Sequence, residues 1–191
     1  MESTTAEKIL SSARKLVIAG GYNGFSYADI ADAVGIRKAS IHHHFPSKVD
    51  LVRVLMINYR GELKAGLEQM EAQSSDPLDQ LQTYIAYWEG CIADGSMSFC
   101  VGALLASELP ALPSEIAAEV RAHFRLLSNW LEDVIERGAA GGQFVLTHPA
   151  RVEAEMMMAA IHGAMLSARA YGTPESFAAI VRPMLNRLSA G

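Results

Sequence analysis

Apolar residues recur along this chain at intervals of three and four positions, the spacing of one face of an α-helix. Ile9, Ala13 and Val17 show this spacing near the start, and a pair of glycines ends that first run. Alternation of apolar and polar residues is scarce, and the short β-like run at residues 143–147 is too isolated to form a sheet. The pattern therefore predicts an all-α fold.

Helix start signals divide the chain into about nine segments. Ser26 stands three residues before Asp29, and Ser47 three residues before Asp50, the arrangement of a capping box. Three later starts are marked by a proline predicted at the first helical position, namely Pro77, Pro149 and Pro174. The predicted helices are residues 3–19, 27–34, 38–44, 48–72, 77–94, 98–108, 114–138, 149–171 and 174–189.

Residues 26–45 have the pattern of a helix-turn-helix. Ala31 supplies the small residue needed where two helices cross, and Gly35 tolerates the positive φ of the turn. Apolar residues suited to clamp the helices together are Ile30, Val34, Ile36 and Ile41. Polar residues available on the outer face of the second helix are Arg37, Lys38, Ser40, His42 and His43. The alternative interpretation is a plain helical hairpin with a solvated polar face.

Charge is divided unevenly along the chain, which has a net charge of −5. Residues 1–60 carry a net charge of +3, whereas residues 61–191 carry −8. A basic N-terminal part and an acidic remainder suit a DNA-binding module joined to a larger domain that stays away from phosphate.

The segment also resembles a known family. The runs GYNGFS at residues 21–26, IADAVGI at 30–36 and KASIHHHFPSK at 38–48 are similar to the TetR family of repressors. The remainder of the chain fits that family only in length and helix count. The resemblance implies a helix-turn-helix DNA-binding domain at residues 1–46 and a ligand-binding and dimerisation domain at residues 47–191. The short third helix would enter the major groove.

Carried over by position, the resemblance implies DNA contacts from Ser26, Arg37, Lys38, Ser40, His42, His43 and Lys48. Lys48 would anchor a phosphate at the start of the fourth helix. Arg37 stands where Ser or Thr commonly caps the recognition helix, so we expect a weaker cap. Phosphate proximity would favour charged imidazole, so we expect operator binding to tighten at lower pH.

The three consecutive histidines are not expected to bind a metal ion. Successive helical residues point about 100° apart, so neighbours cannot converge on one ion. We expect His44 to pack inward, where the second helix meets the fourth.

The acidic part of the chain is rich in aromatic residues and methionine, which suits an apolar pocket for a small-molecule inducer. For each residue considered singly, packing in the core is the better explanation. The candidate lining residues are Tyr84, Trp88, Cys100, Leu104, His123, Leu127, Trp130, Met157, Ile161 and His162.

Cys100 opens a predicted helix, where the positive end of the helix dipole favours a thiolate. Some TetR-type regulators that respond to electrophiles resemble this stretch. An electrophile- or redox-sensing repressor is therefore an alternative, although a buried small apolar residue is the preferred explanation. Control by a protein partner is a further alternative.

The last two predicted helices have the features of a dimer interface. Ala159, Gly163 and Ser167 form a strip of small residues that permits close helix approach. The final helix has an apolar stripe made of Phe177, Ile180, Val181, Met184, Leu185 and Leu188. The resemblance favours a homodimer through residues 149–189 that matches two half-sites of double-stranded DNA.

Other classes of protein are not supported by the sequence. It has no Gly-rich phosphate loop, Gly-x-Ser-x-Gly motif or metal-ligand spacing, so we expect neither an enzyme nor a bound cofactor. No signal peptide or apolar span is recognisable, and two cysteines are too few for a disulfide framework. These features predict a cytoplasmic protein without membrane contact.

Overall fold

The computed structural model describes residues 4–189, which form nine α-helices and one 3-10 turn. The helices are α1 (Thr5–Gly20), α2 (Tyr27–Val34), α3 (Lys38–His44), α4 (Lys48–Gln73), α5 (Pro77–Ala93), α6 (Val101–Ser107), α7 (Ser114–Ala140), α8 (Ala150–Tyr171) and α9 (Glu175–Ser189). The 3-10 turn is Leu109–Ala111. The predicted all-α class is confirmed, and predicted bounds differ from these by three residues or fewer.

Helix starts follow the capping signals in most cases. Ser26 and Asp29 form the predicted capping box of α2, and Asp76 accepts two backbone N–H groups at the start of α5. The prediction for two prolines was wrong by one residue. Pro149 is the N-cap of α8, with an extended ψ of 145°, and α9 begins after Pro174. The fixed φ of proline suits the position before a helix as well as the first helical position.

The chain divides into two compact units. The first comprises the residues up to 61 together with residues 101–123, and the second comprises residues 62–100 and those from 124 onward. The domain boundary placed after residue 46 stays a prediction.

The first unit contains the helix-turn-helix and α6. Its buried core includes Ile9, Val17, Ile30, Ile41 and Leu51, so α1, α2, α3 and the start of α4 share one apolar centre. Helix α1 packs against α2, α3 and α6. This arrangement places the end of α6 beside the segment that leads into α2.

The second unit is organised around α9, which packs against α8 and α5. Its fully buried side chains include Leu81, Leu131, Met165 and Phe177. Between residues 4 and 189, none of the helices combines the length and apolarity needed to cross a membrane. In the same range, no three His, Cys, Asp or Glu side chains are grouped so that they could hold a metal ion.

Candidate nucleic-acid interface and ligand-binding residues

The turn between α2 and α3 has the geometry that the sequence predicts. Gly35 is left-handed, with φ 74° and ψ 37°, and its N–H donates to the Ala31 carbonyl at 2.9 Å. Ile36 donates to the same carbonyl at 3.0 Å, and Ala31, Ile30 and Ile41 are buried. The small residue, the glycine and the apolar residues therefore hold α2 and α3 in a helix-turn-helix.

The outer face of α3 is polar and accessible. Arg37, Lys38, His42 and His43 are exposed, and Ser40 is half-buried. Arg37 occupies the N-cap position with no side-chain hydrogen bond to the helix, as its chemistry predicts. Four of the five predicted contact residues at the start of and along α3 are therefore open to solvent.

The imidazole of His42 is held in one orientation. Its Nδ1 lies 3.1 Å from the Pro46 carbonyl oxygen, and its ring centroid lies 4.8 Å from that of Tyr27. Because a carbonyl oxygen only accepts, Nδ1 carries the proton, and Nε2 of the neutral ring is an acceptor. Protonation would convert Nε2 into a donor.

Tyr27 joins the start of α2 to the end of α3, a role that the sequence analysis missed. Its hydroxyl donates to the Phe45 carbonyl oxygen at 2.9 Å. Burial raises the pKa of Tyr27 to about 12, with smaller contributions from Asp50 and Tyr22. Tyr27 therefore remains a neutral donor at physiological pH. The only sequence signal was an aromatic residue at the first position of a short helix.

The prediction that His44 packs inward was wrong, because His44 is exposed. Ile41 and Phe45, four positions apart, occupy the inward face at this point, and both are buried. The ring of His44 lies 5.5 Å from that of His43 and 6.4 Å from that of Phe45. All three histidines of α3 therefore face solvent.

Two predicted phosphate contacts also have partners within the protein. The Ser26 hydroxyl donates to Asp29 at 2.8 Å and accepts the N–H of Ala28 at 3.2 Å. The Lys48 ammonium donates to the Phe25 carbonyl oxygen. Burial lowers the pKa of Lys48, and the charges of Asp29 and Glu108 act in the opposite direction. The phosphate-binding roles of Ser26 and Lys48 stay predictions.

Eight of the ten predicted ligand-binding residues lie in the second unit. Seven are buried and His162 is half-buried; the buried residues are Tyr84, Trp88, Cys100, Leu127, Trp130, Met157 and Ile161. Tyr84 and Trp130 have ring centroids 5.5 Å apart, and Trp130 Nε1 donates to Glu71 at 3.0 Å. Burial lowers the pKa of His162 to about 4, so its ring is neutral at physiological pH.

Two clefts border α9 in the second unit. The cleft between α8 and α9 has a volume of about 220 Å³ and is lined by Glu153, Met156, Met157, Ala160, Met184, Arg187 and Leu188. The cleft between α5 and α9 has a volume of about 420 Å³ and is lined by Gln82, Ile85, Ala86, Glu89, Arg182, Leu185 and Asn186. Met157 is the predicted ligand-binding residue that borders the first cleft.

The other two predicted ligand-binding residues, Leu104 and His123, lie in the first unit. Leu104 is half-buried, whereas His123 is 2% exposed and stacks on Tyr59 at 5.1 Å. The guanidinium of Arg14 lies 4.8 Å from the centroid of the same tyrosine ring. A Cβ on Gly102 would lie 2.5 Å from His123 Cδ2. His123 is thus closely packed against α6.

Cys100 lies immediately before α6 rather than inside it, and it is 1% exposed. Cys91 is half-buried. Burial of Cys100 favours the core-packing explanation, because reactive cysteines are usually partly accessible. The thiol-sensor function stays a prediction.

The predicted dimer surface is partly exposed. On α8, Val152, Met156 and Leu166 are exposed, Leu166 by 58%, and Ala159 and Gly163 lie between them on the exposed surface. The stripe of α9 divides into two groups. Phe177, Val181, Leu185 and Leu188 are buried within the second unit, whereas Ile180 is exposed and Met184 is half-buried.

Two family models match this chain. The model described as bacterial regulatory proteins of the tetR family matches residues 9–55. The model described as the tetracyclin repressor-like C-terminal domain matches residues 77–184. The second match extends the family likeness to the part of the chain that the sequence analysis had related to the family only by length and helix count.

Individual relatives agree with these models. A TetR-family transcriptional regulator from Agrobacterium tumefaciens has 62% sequence identity, covers 97% of each chain and has a TM-score of 0.95. The HTH-type transcriptional regulator CymR of Pseudomonas putida is 26% identical over 71% of each chain. The HTH-type regulator YxaF of Bacillus subtilis is 31% identical over 80 residues, which are 41% of this chain and 42% of that protein.

Proposed function

This chain belongs to the TetR family of bacterial regulatory proteins, and from that premise we propose that it is a repressor released from DNA by a small molecule. It is a DNA-binding transcriptional regulator, and its family is one of regulatory proteins rather than enzymes. The observation that carries the proposal is the exposed polar face of α3, held by a helix-turn-helix with a left-handed Gly35.

Lys38, His42 and His43 are proposed to contact DNA from this face, with Arg37 at the start of the helix. A phosphate oxygen accepts hydrogen bonds, and its negative charge would favour charged imidazole at His42 and His43. We therefore expect operator affinity to rise as the pH falls from about 8 to about 6. A flat affinity over that range would mean that histidine ionisation has no such role.

A homodimer formed through α8 and α9 would present two α3 helices to DNA. The exposed Val152, Met156 and Leu166 of α8 and Ile180 of α9 supply apolar surface for such a contact. Gly163 has nothing within 4 Å of its missing Cβ, which leaves room for a partner helix. The two reading helices would lie about 34 Å apart, one turn of DNA.

The inducer is proposed to be largely apolar and to bind the second unit. The support is its group of buried aromatic side chains, including Tyr84, Trp88 and Trp130, together with Met157. A ligand can release the protein from DNA only if it binds the non-binding conformation more tightly than the binding one. A compound with equal affinity for both would not induce.

The proposal is tested by selecting operators from random DNA with the full-length protein and then screening compounds for release. Lys38→Ala should weaken operator binding and, if it removes one phosphate contact, lower the slope of log affinity against log salt by about 1. Lys64→Ala removes the same charge from an exposed position on α4 and should leave both quantities unchanged. Equal effects of the two variants would argue against α3 as the reading helix.

The dimer is tested by light scattering at micromolar protein concentration. Leu166→Glu places a charge on the exposed face of α8 and should shift the protein towards a monomer with weaker operator binding. Val145→Glu places the same charge on another exposed apolar residue, outside the helices, and serves as the matched control. A wild-type monomer would contradict the proposed interface.

A further inference from the structure

Glu108 lies just after α6 and contacts the segment between α1 and α2. Its Oε2 accepts the backbone N–H of Tyr22 at 2.8 Å, across a sequence separation of 86 residues. The backbone of Glu108 is itself fixed, because its N–H donates to Leu105 at 3.1 Å and its carbonyl accepts from Ala111 at 2.8 Å. The carboxylate therefore reaches the α1–α2 segment from a fixed position.

The segment that Glu108 contacts is a tight turn. Gly21 ends α1 with φ 73°, and its N–H donates to the Val17 carbonyl at 2.8 Å. A Cβ on Gly21 would lie 2.0 Å from Glu108 Oε1, so the carboxylate occupies the space that a side chain would need. A Cβ on Gly24 would lie 2.2 Å from the Gly20 carbonyl oxygen. The turn therefore has little room to move while the carboxylate is in place.

Lys48 holds the same turn from the start of α4. Its ammonium donates to the Phe25 carbonyl oxygen and lies 4.1 Å from the centroid of the Phe25 ring and 4.9 Å from that of Tyr22. The residue after Phe25 is Ser26, the N-cap of α2. A bond at each end of the turn thus fixes where α2 begins, and α2 packs against α3.

We propose that Glu108 is a positioning residue for DNA binding, which places the helix-turn-helix by holding the α1–α2 turn through the Tyr22 amide. The residues around α6 thereby act on operator affinity without touching DNA. The inference rests on DNA binding by α3, but the hydrogen bond can be measured without DNA. A charge-assisted bond to a carboxylate is among the stronger hydrogen bonds in proteins.

The test compares Glu108→Ala and Glu108→Gln in the full-length protein, using an operator selected by the wild type. Glu108→Ala should accelerate hydrogen exchange at the Tyr22 amide and weaken operator binding by about tenfold. Glu108→Gln keeps an oxygen that can accept the same N–H, so it should restore most of both properties. Rescue by glutamine distinguishes positioning by this bond from a general effect of carboxylate charge.

Glu115→Ala is the matched control. Burial and, to a smaller extent, the charge of Glu115 raise the pKa of the Tyr22 phenol, whereas the Tyr22 amide donates to Glu108. This variant should leave the exchange of the Tyr22 amide and the operator affinity within about twofold of wild type. Equal losses in Glu115→Ala and Glu108→Ala would overturn the proposal. So would a Glu108→Ala variant with fast Tyr22 exchange but unchanged operator affinity.

Gly21→Ala provides a test of the contact between Glu108 and the turn that needs no DNA. The added Cβ meets the Glu108 carboxylate in the wild type, whereas Glu108→Ala leaves space for it. Backbone strain from the positive φ is common to both backgrounds, so Gly21→Ala should lower Tm more in the wild type than in Glu108→Ala. An equal loss in both would refute the contact. Failure of the wild type to bind any operator would refute the proposed function instead, and the exchange result would still stand.

Discussion

Replacing Glu153 should destabilise the second unit, because this carboxylate is 4% exposed and bonded at both oxygens. Its Oε1 accepts the Thr147 N–H at 3.1 Å, the Thr147 hydroxyl at 2.9 Å and the His148 N–H at 3.1 Å. Its Oε2 accepts from Arg187 Nη2 at 3.3 Å. One side chain of α8 thus holds both the segment before that helix and the end of α9.

The loss of stability in each variant depends on which hydrogen-bonding groups remain without a partner. Hydrogen bonds to a charged group contribute about 1.5–3 kcal/mol each, but Thr147, His148 and Arg187 are exposed enough for water to replace part of the loss. We therefore expect Glu153→Ala to cost about 3 kcal/mol in the free energy of unfolding. Glu153→Gln keeps one acceptor oxygen but presents an amide to Arg187, and it should cost about half as much.

The pH dependence of the free energy of unfolding provides a second test of the Glu153 contacts. Burial raises the pKa of Glu153, but hydrogen bonds from Thr147 and His148 and the charge of Arg187 together hold it below 4.5, its ordinary value. The stabilisation is therefore complete above the pKa of the unfolded state and is lost as pH falls through the lower folded-state pKa. The difference between wild type and Glu153→Gln should shrink as the pH falls below 4.5.

Urea unfolding at fixed protein concentration measures both effects, with Glu136→Gln as an exposed control on α7. The reasoning fails if Glu153→Gln unfolds like the wild type at pH 7. It also fails if the difference between the two proteins is the same at pH 7 and at pH 3.5.

Three further predictions concern packing, ionisation and capping. Gly102→Ala should lower the free energy of unfolding by about 1–3 kcal/mol, because the new Cβ meets the buried ring of His123. Gly61→Ala, whose Cβ would have nothing within 4 Å, should be neutral or stabilising. Equal thermal stability of the two variants would contradict this expectation. His162 should titrate near pH 4 by NMR. Because the unfolded state then binds a proton that the folded state does not, the free energy of unfolding should fall by up to about 3 kcal/mol as the pH drops from 6.5 to about 4. A measured pKa near 6.5 would exclude that loss. Arg37→Ser should add a side-chain cap to α3 and raise the free energy of unfolding by up to about 1 kcal/mol, while weakening operator binding. A loss of stability would contradict the capping argument. Operator binding equal to that of the wild type would contradict the DNA contact proposed for Arg37.

The sequence by itself determined the helices and the helix-turn-helix, because these depend on neighbours within a few positions. Apolar spacing predicted the helix bodies, and Ser26 and Ser47 marked starts that the structure shows with the expected hydrogen bonds, while Pro77 marked the first residue of α5. Gly35 was predicted to lie in the turn because that position has a positive φ, which glycine adopts without strain. The absence of a side-chain cap at Arg37 was also readable from residue type alone.

Only the tertiary structure decided which side chains on a helix meet a partner distant in sequence. His44 faces solvent because Phe45 fills the inward position, and the apolar stripe of α9 divides because one part packs within the second unit. Glu108 contacts Tyr22 across 86 residues, and no local pattern encodes such a bond. The spacing of apolar residues predicts which face of a helix a side chain occupies. The way the helices pack in three dimensions determines which residues that face contacts.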